Sequence, residues 1–206
     1  MRRFLAVLWL SFFPLVVLAA APPVLVLGDS LSAAHGIPLQ TGWVTLLGKR
    51  LDAADASPRR AVVNASISGE TTSGGLARLP ALLAEHKPGV VVVELGANDG
   101  LRGLSLPDIR KNVASLVKLS RDAGAKVVLV GIELPVNYGP QYRDGLRAMY
   151  RDVAAEFNVP LVPFLLEGVA LDPALMQDDG LHPVAAAQPK ILDTVWAVLG
   201  GVVAAK

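Results

Sequence analysis

Apolar and polar positions follow two rhythms along this chain. Residues 24–27, Val-Leu-Val-Leu, form a short run without polar interruption, closed by Gly28. Such a run reads as a strand buried on both faces. Similar runs recur at 61–65, 90–95 and 127–132, and at Leu161 and Val162 between two prolines. Between them the period lengthens to that of a helix. Trp43, Leu46, Leu47 and Leu51 share one helical face, as do Leu76, Leu79 and Leu83. So do Ile109, Val113, Leu116 and Val117, then Tyr142, Leu146, Met149, Val153 and Phe157, and finally Ile191, Val195 and Val198.

The ends of these segments carry their own signals. Thr41 reads as the cap of the helix starting near Trp43, and Ser105 with Asp108 resembles a capping box. His86 and Lys87 end a helix before Pro88-Gly89, and Gly124 closes the next one. Five strands alternating with helices imply a doubly wound parallel sheet, a three-layer α/β/α sandwich. There is no internal repeat, low-complexity segment or linker, so one domain is expected.

The first residues break the rhythm. Arg2 and Arg3 precede an apolar run over 4–18, and Ala19-Ala20-Ala21 follows. That is the layout of a secretory signal peptide over 1–21, with the domain over 22–206. The run is marginal for spanning a bilayer, contains Pro14 and lacks a charged flank, which argues against a retained anchor. The expected location is therefore periplasmic or secreted, with no membrane anchor after cleavage. The chain has no cysteine, which excludes disulfides, cysteine nucleophiles and a lipid-modified amino-terminal cysteine. With 19 basic and 18 acidic residues, it offers no electrostatic case for nucleic acid.

Polar residues without a packing role gather just after the strands. Asp29 and Ser30 follow the first, Gly69 the second and Asn98 the third; Asp179 and His182 follow the fifth. In a parallel sheet these ends share one edge. Acyl transfer needs such a mixture: a hydroxyl nucleophile, a histidine base and a carboxylate that orients it. Ser30, His182 and Asp179 supply them, and Asp178 competes with Asp179. The N–H groups of Ser30 and Gly69 and the amide of Asn98 are candidate oxyanion donors. Each residue also has a plainer role: Ser30 as a helix cap, and Asn98-Asp99-Gly100 and Asp179-Gly-Leu-His182 as turns. His35 ranks below His182, and His86 reads as a helix-terminal cation. No metal-ligand spacing and no phosphate-binding glycine motif is present, so no cofactor is expected.

Four blocks carry a resemblance: Gly28-Asp29-Ser30-Leu31-Ser32, Gly69, Gly96-Ala97-Asn98-Asp99 and Asp179-Gly-Leu-His182. In this order they resemble the SGNH (GDSL) hydrolases, over nearly the whole chain after the leader. Within that superfamily the chain is most similar to the bacterial periplasmic thioesterase, lysophospholipase and arylesterase group. Trp43, Leu134-Pro-Val-Asn-Tyr-Gly139 and Met176-Gln-Asp-Asp-Gly-Leu-His-Pro183 fit that group. The resemblance implies a flavodoxin-like sheet order 2-1-3-4-5, Ser30, Asp179 and His182 as triad, and Gly69 and Asn98 as oxyanion donors. Ala97 stands where the group commonly has glycine.

The expectation is a serine hydrolase acting as a monomer on small acyl esters or thioesters. Asp29, Leu101, Leu104, Pro135 and Tyr138 are the expected substrate-binding residues. A carbohydrate O-deacetylase and a non-catalytic exported binding module are the alternatives.

Overall fold

The computed structural model describes residues 21–53 and 59–205. Residues 1–20, which hold nearly all of the expected leader, lie outside the described residues. Five strands form one parallel sheet: β1 (Ala21–Gly28), β2 (Arg60–Asn64), β3 (Val90–Glu94), β4 (Lys126–Val130) and β5 (Leu161–Val162). Their order is β2-β1-β3-β4-β5. Val24, Leu25, Val26 and Leu27 of β1 stand beside Val90, Val91, Val92 and Val93 of β3.

Strand side chains alternate between the two faces of the sheet. Leu25, Leu27, Val91, Val93 and Leu129 pack with Leu79, Ile109, Leu116 and Leu146. These come from α2 (Thr72–His86), α4 (Leu106–Asp122) and α5 (Pro140–Phe157). Val24, Val26, Val92 and Val128 pack on the other side with Trp43, Leu47, Ile191 and Val195. These belong to α1 (Trp43–Ala53) and α6 (Gln188–Ala204). Every one of these residues is nearly or fully excluded from solvent. Both sheet faces are thus covered, which explains why the strands lack polar alternation.

Three local readings change. Thr41 does not cap α1; it closes a short 3-10 turn over Leu39–Thr41 and its hydroxyl donates to Pro38 O at 2.7 Å. The Trp43 N–H donates instead to Gln188 Oε1 at 3.0 Å, a cap supplied from 145 residues away. Sequence spacing cannot show such a partner. The strand expected over 127–132 ends at Val130, so Ile132 belongs to the loop beyond it. Asn98-Asp99-Gly100 is not a plain turn but the body of a short helix, α3 (Ala97–Leu101).

The topology places five loops at the carboxyl edge, following β1 to β5 in turn. The site is built there.

Candidate active site

β1 delivers the chain to Ser30 through a turn that only glycine permits. A Cβ on Gly28 would lie 2.7 Å from Glu94 Oε2 and 2.8 Å from the Ser32 side chain. Helical-type bonds then fix the loop: Ala33 N donates to Asp29 O at 2.9 Å and His35 N to Ser30 O at 3.2 Å.

Ser30 Oγ lies 2.9 Å from His182 Nε2, although 152 residues separate them. His182 Nδ1 lies 2.6 Å from Asp179 Oδ2. Asp179 Oδ1 also accepts the backbone N–H of His182 and that of Leu181, both at 2.9 Å. The bond from the His182 ring leads in holding the Asp179 carboxyl down to about 2, with the two N–H groups adding to it. An ionised carboxylate only accepts, so the Nδ1 proton of neutral His182 is directed to Asp179 and Nε2 is left to accept from Ser30. Asp178 makes none of these bonds; Asp179 is the acid beside the ring.

The remaining site residues come from the loops after β2 and β3. Gly69 has φ +81°, a conformation that glycine adopts freely. A Cβ there would meet nothing within 4 Å, so conformation rather than space explains this glycine. Asn98 lies in the first turn of α3 after Gly96, which has φ +124°. Its Nδ2 donates to Asp29 Oδ2 at 3.1 Å and to Glu70 O at 3.0 Å.

Beneath these groups lies a buried polar platform. Asp29 is fully buried and its Oδ1 accepts from Leu31 N at 3.0 Å. Burial pushes its carboxyl up to about 6, against smaller opposing pulls from Leu31 N–H, His182 and Asn98. Glu94 is also fully buried. Its Oε2 accepts from the Ser32 hydroxyl at 2.6 Å and from Asp29 N at 3.3 Å, while Oε1 has no partner. Burial first, and the neighbouring Asp29 charge second, push the Glu94 carboxyl well above the ordinary range. Asp99 accepts from Thr72 N at 2.9 Å and Thr72 Oγ1 at 2.6 Å, which ties α3 to the start of α2.

A cavity of about 290 Å³ opens beside Ser30. Its wall is mostly apolar: Leu101, Ile132, Leu134, Pro135, Phe164, Leu165 and Leu166. Ser68 and His35 edge it, and the His35 ring is tilted 40° against His182 with centroids 4.4 Å apart. Leu101 and Pro135 therefore stand where sequence reasoning put them.

Three expected substrate contacts do not line this cavity. Asp29 is sealed beneath the site, with both carboxylate oxygens accepting protein N–H groups. Leu104 points to solvent at 42 % exposure. The Tyr138 hydroxyl donates to Leu101 O at 2.8 Å, so it braces the wall from behind. The segments 132–134 and 164–166 were missed because each reads as ordinary core in a strand-rich sequence. Among the described residues, no group of three histidine or carboxylate side chains could hold a metal ion.

This fold and geometry have known counterparts. Residues 26–188 match the model of the GDSL-like lipase/acylhydrolase family. The chain belongs to that family. It is 55 % identical over 181 residues to the esterase TesA of Pseudomonas aeruginosa, covering 88 % of this chain and 89 % of that one. It is 46 % identical over 175 residues to thioesterase 1/protease 1/lysophospholipase L1 of Escherichia coli, covering 85 % and 82 %. The crystal structure of the psychrotrophic esterase EstA from Pseudoalteromonas sp., inhibited by monoethylphosphonate, superposes with a TM-score of 0.84 at 40 % identity. It covers 90 % of this chain and 100 % of that one. This GDSL-family chain is thus an ester hydrolase, and no helix among its described residues is long and apolar enough to cross a membrane.

Proposed function

We propose that this esterase hydrolyses acyl esters and thioesters through an acyl-enzyme on Ser30. The observation that carries the reading is the relay from Ser30 to His182 to Asp179, at 2.9 and 2.6 Å, beside a mostly apolar cavity. His182 Nε2 takes the Ser30 proton as Oγ attacks the carbonyl carbon. Negative charge moves to the carbonyl oxygen, toward Ser30 N–H, Gly69 N–H and Asn98 Nδ2, whose amide gives up its bond to Glu70 O and keeps the one to Asp29 as it donates to the oxyanion. As the tetrahedral intermediate collapses, His182 returns the proton to the leaving oxygen or sulfur. Water then attacks the acyl-serine with His182 again as base, and the acid leaves.

The names of the relatives, esterase, thioesterase and lysophospholipase, all describe acyl transfer to water. An apolar wall favours an acyl chain over a sugar-borne acetyl group, which places carbohydrate O-deacetylation second. The site is complete within one chain, so a monomer suffices. Export into the periplasm or beyond belongs to the same reading, on the basic and apolar pattern of the first 21 residues; amino-terminal sequencing of the mature protein checks it.

A fluorophosphonate probe tests the chemistry. Wild type should be labelled on Ser30. Ser30→Ala should lose the label and on the order of 10⁴-fold in turnover while remaining folded. Full esterase activity in folded Ser30→Ala, or a binding-only protein that never takes the label, defeats the proposal.

A further inference from the structure

The loop between β2 and α2 carries one oxyanion donor and holds another at rest. Its turn is Ile67-Ser68-Gly69-Glu70, closed by the Glu70 N–H donating to Ile67 O at 3.1 Å. Gly69 stands third with φ +81°, the positive φ that a type II turn requires there. The closing bond of such a turn does not use the N–H of its third residue, which is left to bind elsewhere. Glu70 O accepts from Asn98 Nδ2 at 3.0 Å, the bond that is exchanged for the oxyanion. Both donors therefore depend on where this turn sits.

Ile67, Ser68 and Gly69 are exposed, so core packing does not locate them. Hydrogen bonds do. Toward β1, the Ala65 N–H donates to Val26 O at 2.9 Å and the Ile67 N–H to Gly28 O at 3.1 Å. The other hold comes from Arg78, in the second turn of α2. Its Nε donates to Glu70 Oε2 at 2.8 Å and its Nη2 to Ala65 O at 2.9 Å. One planar guanidinium thus grips both ends of the segment 65–70. The pair is shielded, with Glu70 at 12 % and Arg78 at 31 % side-chain exposure, unlike a surface ion pair free to wander. Glu70 Oε1 accepts the Thr71 N–H at 3.2 Å, and a Cβ on Gly74 would collide with this carboxylate. Arg102, which is exposed, adds a single longer bond from Nη2 to Gly69 O at 3.2 Å.

We infer that Arg78 is a positioning residue for ester hydrolysis: by joining Ala65 to Glu70 it holds the turn so that the Gly69 N–H meets the oxyanion. The inference rests on the acyl-enzyme reading above. Arg78 acts through Gly69, and the charge that Gly69 faces develops only as Ser30 attacks, so the effect belongs to the transition state. A mere brace for the fold would lower stability or the fraction of active protein and leave turnover per active site alone.

Fluorophosphonate titration counts the active sites in wild type, Arg78→Ala, Arg78→Lys and Glu70→Gln. Per titrated site, Arg78→Ala should lose about 10- to 100-fold in kcat on a short-chain ester, with KM within about twofold of wild type. Arg78→Lys should recover little, because one ammonium cannot reproduce the two-armed grip. Millimolar guanidinium should restore part of the kcat of Arg78→Ala and leave wild type unchanged. An alkyl trifluoromethyl ketone supplies a second readout. Ser30 Oγ bonds to its carbonyl carbon, His182 takes the proton, and the ketone oxygen becomes the anion that the donors hold. Its affinity should fall in Arg78→Ala by the same factor as kcat/KM. Glu70→Gln keeps the side-chain shape, so it serves even where Arg78→Ala does not fold, and should show the same pattern at about threefold or more. Unchanged kcat per site, a loss carried by KM, or ketone affinity that does not follow kcat/KM overturns the inference. So does a lower thermal midpoint with wild-type kcat per site, which would make Arg78 a brace for the fold. Labelling of Ser30 in wild type stands under each of these results, so the two proposals fail separately.

Discussion

The serine side of the cleft and the wall facing it are built by opposite rules. Under Ser30 the protein buries Asp29, Glu94 and Asp99 and gives each specific hydrogen-bond partners. Across the cavity, the loops after β4 and β5 present Ile132, Leu134, Pro135 and Phe164–Leu166 by apolar packing. Buried polar groups are costly unless paired, so the platform depends on atom types as well as volumes. An apolar wall depends mainly on volume and tolerates volume-conserving exchange. Isosteric changes should therefore be severe on one side and mild on the other.

After Ser30 itself, the largest effect is expected at Asn98. Asn98→Ala should lower turnover by roughly 10² to 10³-fold with little change in KM, since the charge that it faces grows only in the transition state. Asn98→Asp keeps the size but puts a second carboxylate where the Asn98 amide now lies 3.1 Å from Asp29 Oδ2, opposite a developing oxyanion. It should be at least as damaging as alanine. Turnover and thermal midpoint measured on both variants and on Asn98→Gly decide the matter. If activity merely follows stability and glycine restores both, Asn98 shapes the backbone and the oxyanion donor lies elsewhere.

A smaller but more telling effect is expected at Asp29. Its Oδ2 holds the Asn98 amide, so Asp29→Asn should lower kcat through misplacement, by up to about 10²-fold. The pH dependence of stability should change as well. The folded protein raises the Asp29 carboxyl from 3.8 to about 6 by burial, so it binds that proton more tightly than the unfolded chain does. The penalty for ionising it is absent below 3.8 and complete above about 6. Wild type should gain stability from this group as pH falls from 7 to 5, and Asp29→Asn should lose that gain. Asp179 contributes with opposite sign: held down to about 2, it stabilises above 3.8 and ceases to do so as pH falls toward 2. Thermal midpoints at pH 5 and pH 8, beside kcat, check this; an unchanged kcat in Asp29→Asn would make Asp29 structural only.

This same contrast explains what could be read from the sequence. The sheet was legible because strands buried on both faces show as unbroken apolar runs, and the helices as period-3.6 stripes. Ser30, Asn98, Asp179 and His182 were legible as polar residues at strand ends with no packing role. Leu134 and Phe164–Leu166 were not, because an apolar residue facing a cavity and one facing a core have the same sequence signature. Asp29 was misplaced for a related reason: its neighbour Ser30 faces the cavity, and only the turn at Gly28 shows that Asp29 points below. The cap on Trp43 from Gln188 and the Glu94–Ser32 pair join residues far apart in the chain, which no local pattern encodes.

The smallest effects are expected on the wall. Each methylene buried there should add roughly 0.8 kcal/mol to transition-state binding, about fourfold in kcat/KM, until the cavity is filled. Specificity should thus rise over several carbons from the acetyl ester toward octanoyl. Phe164→Ala enlarges the cavity, so its preferred chain should be longer and its activity on short esters lower by less than about tenfold. Leu165→Met preserves volume and should cost less than about 1.5 kcal/mol of stability with the chain-length profile retained. Neither change removes a hydrogen bond of His182 or Asp179, so the pH dependence should stay that of wild type. Kinetics across an ester series with both variants is the measurement. A flat response from acetyl to octanoyl, unchanged in Phe164→Ala, would show that the acyl chain lies elsewhere. A loss of turnover at Leu165→Met as large as at Asp29→Asn would show that the wall obeys the same strict rule as the platform, and the contrast between the two sides would fail.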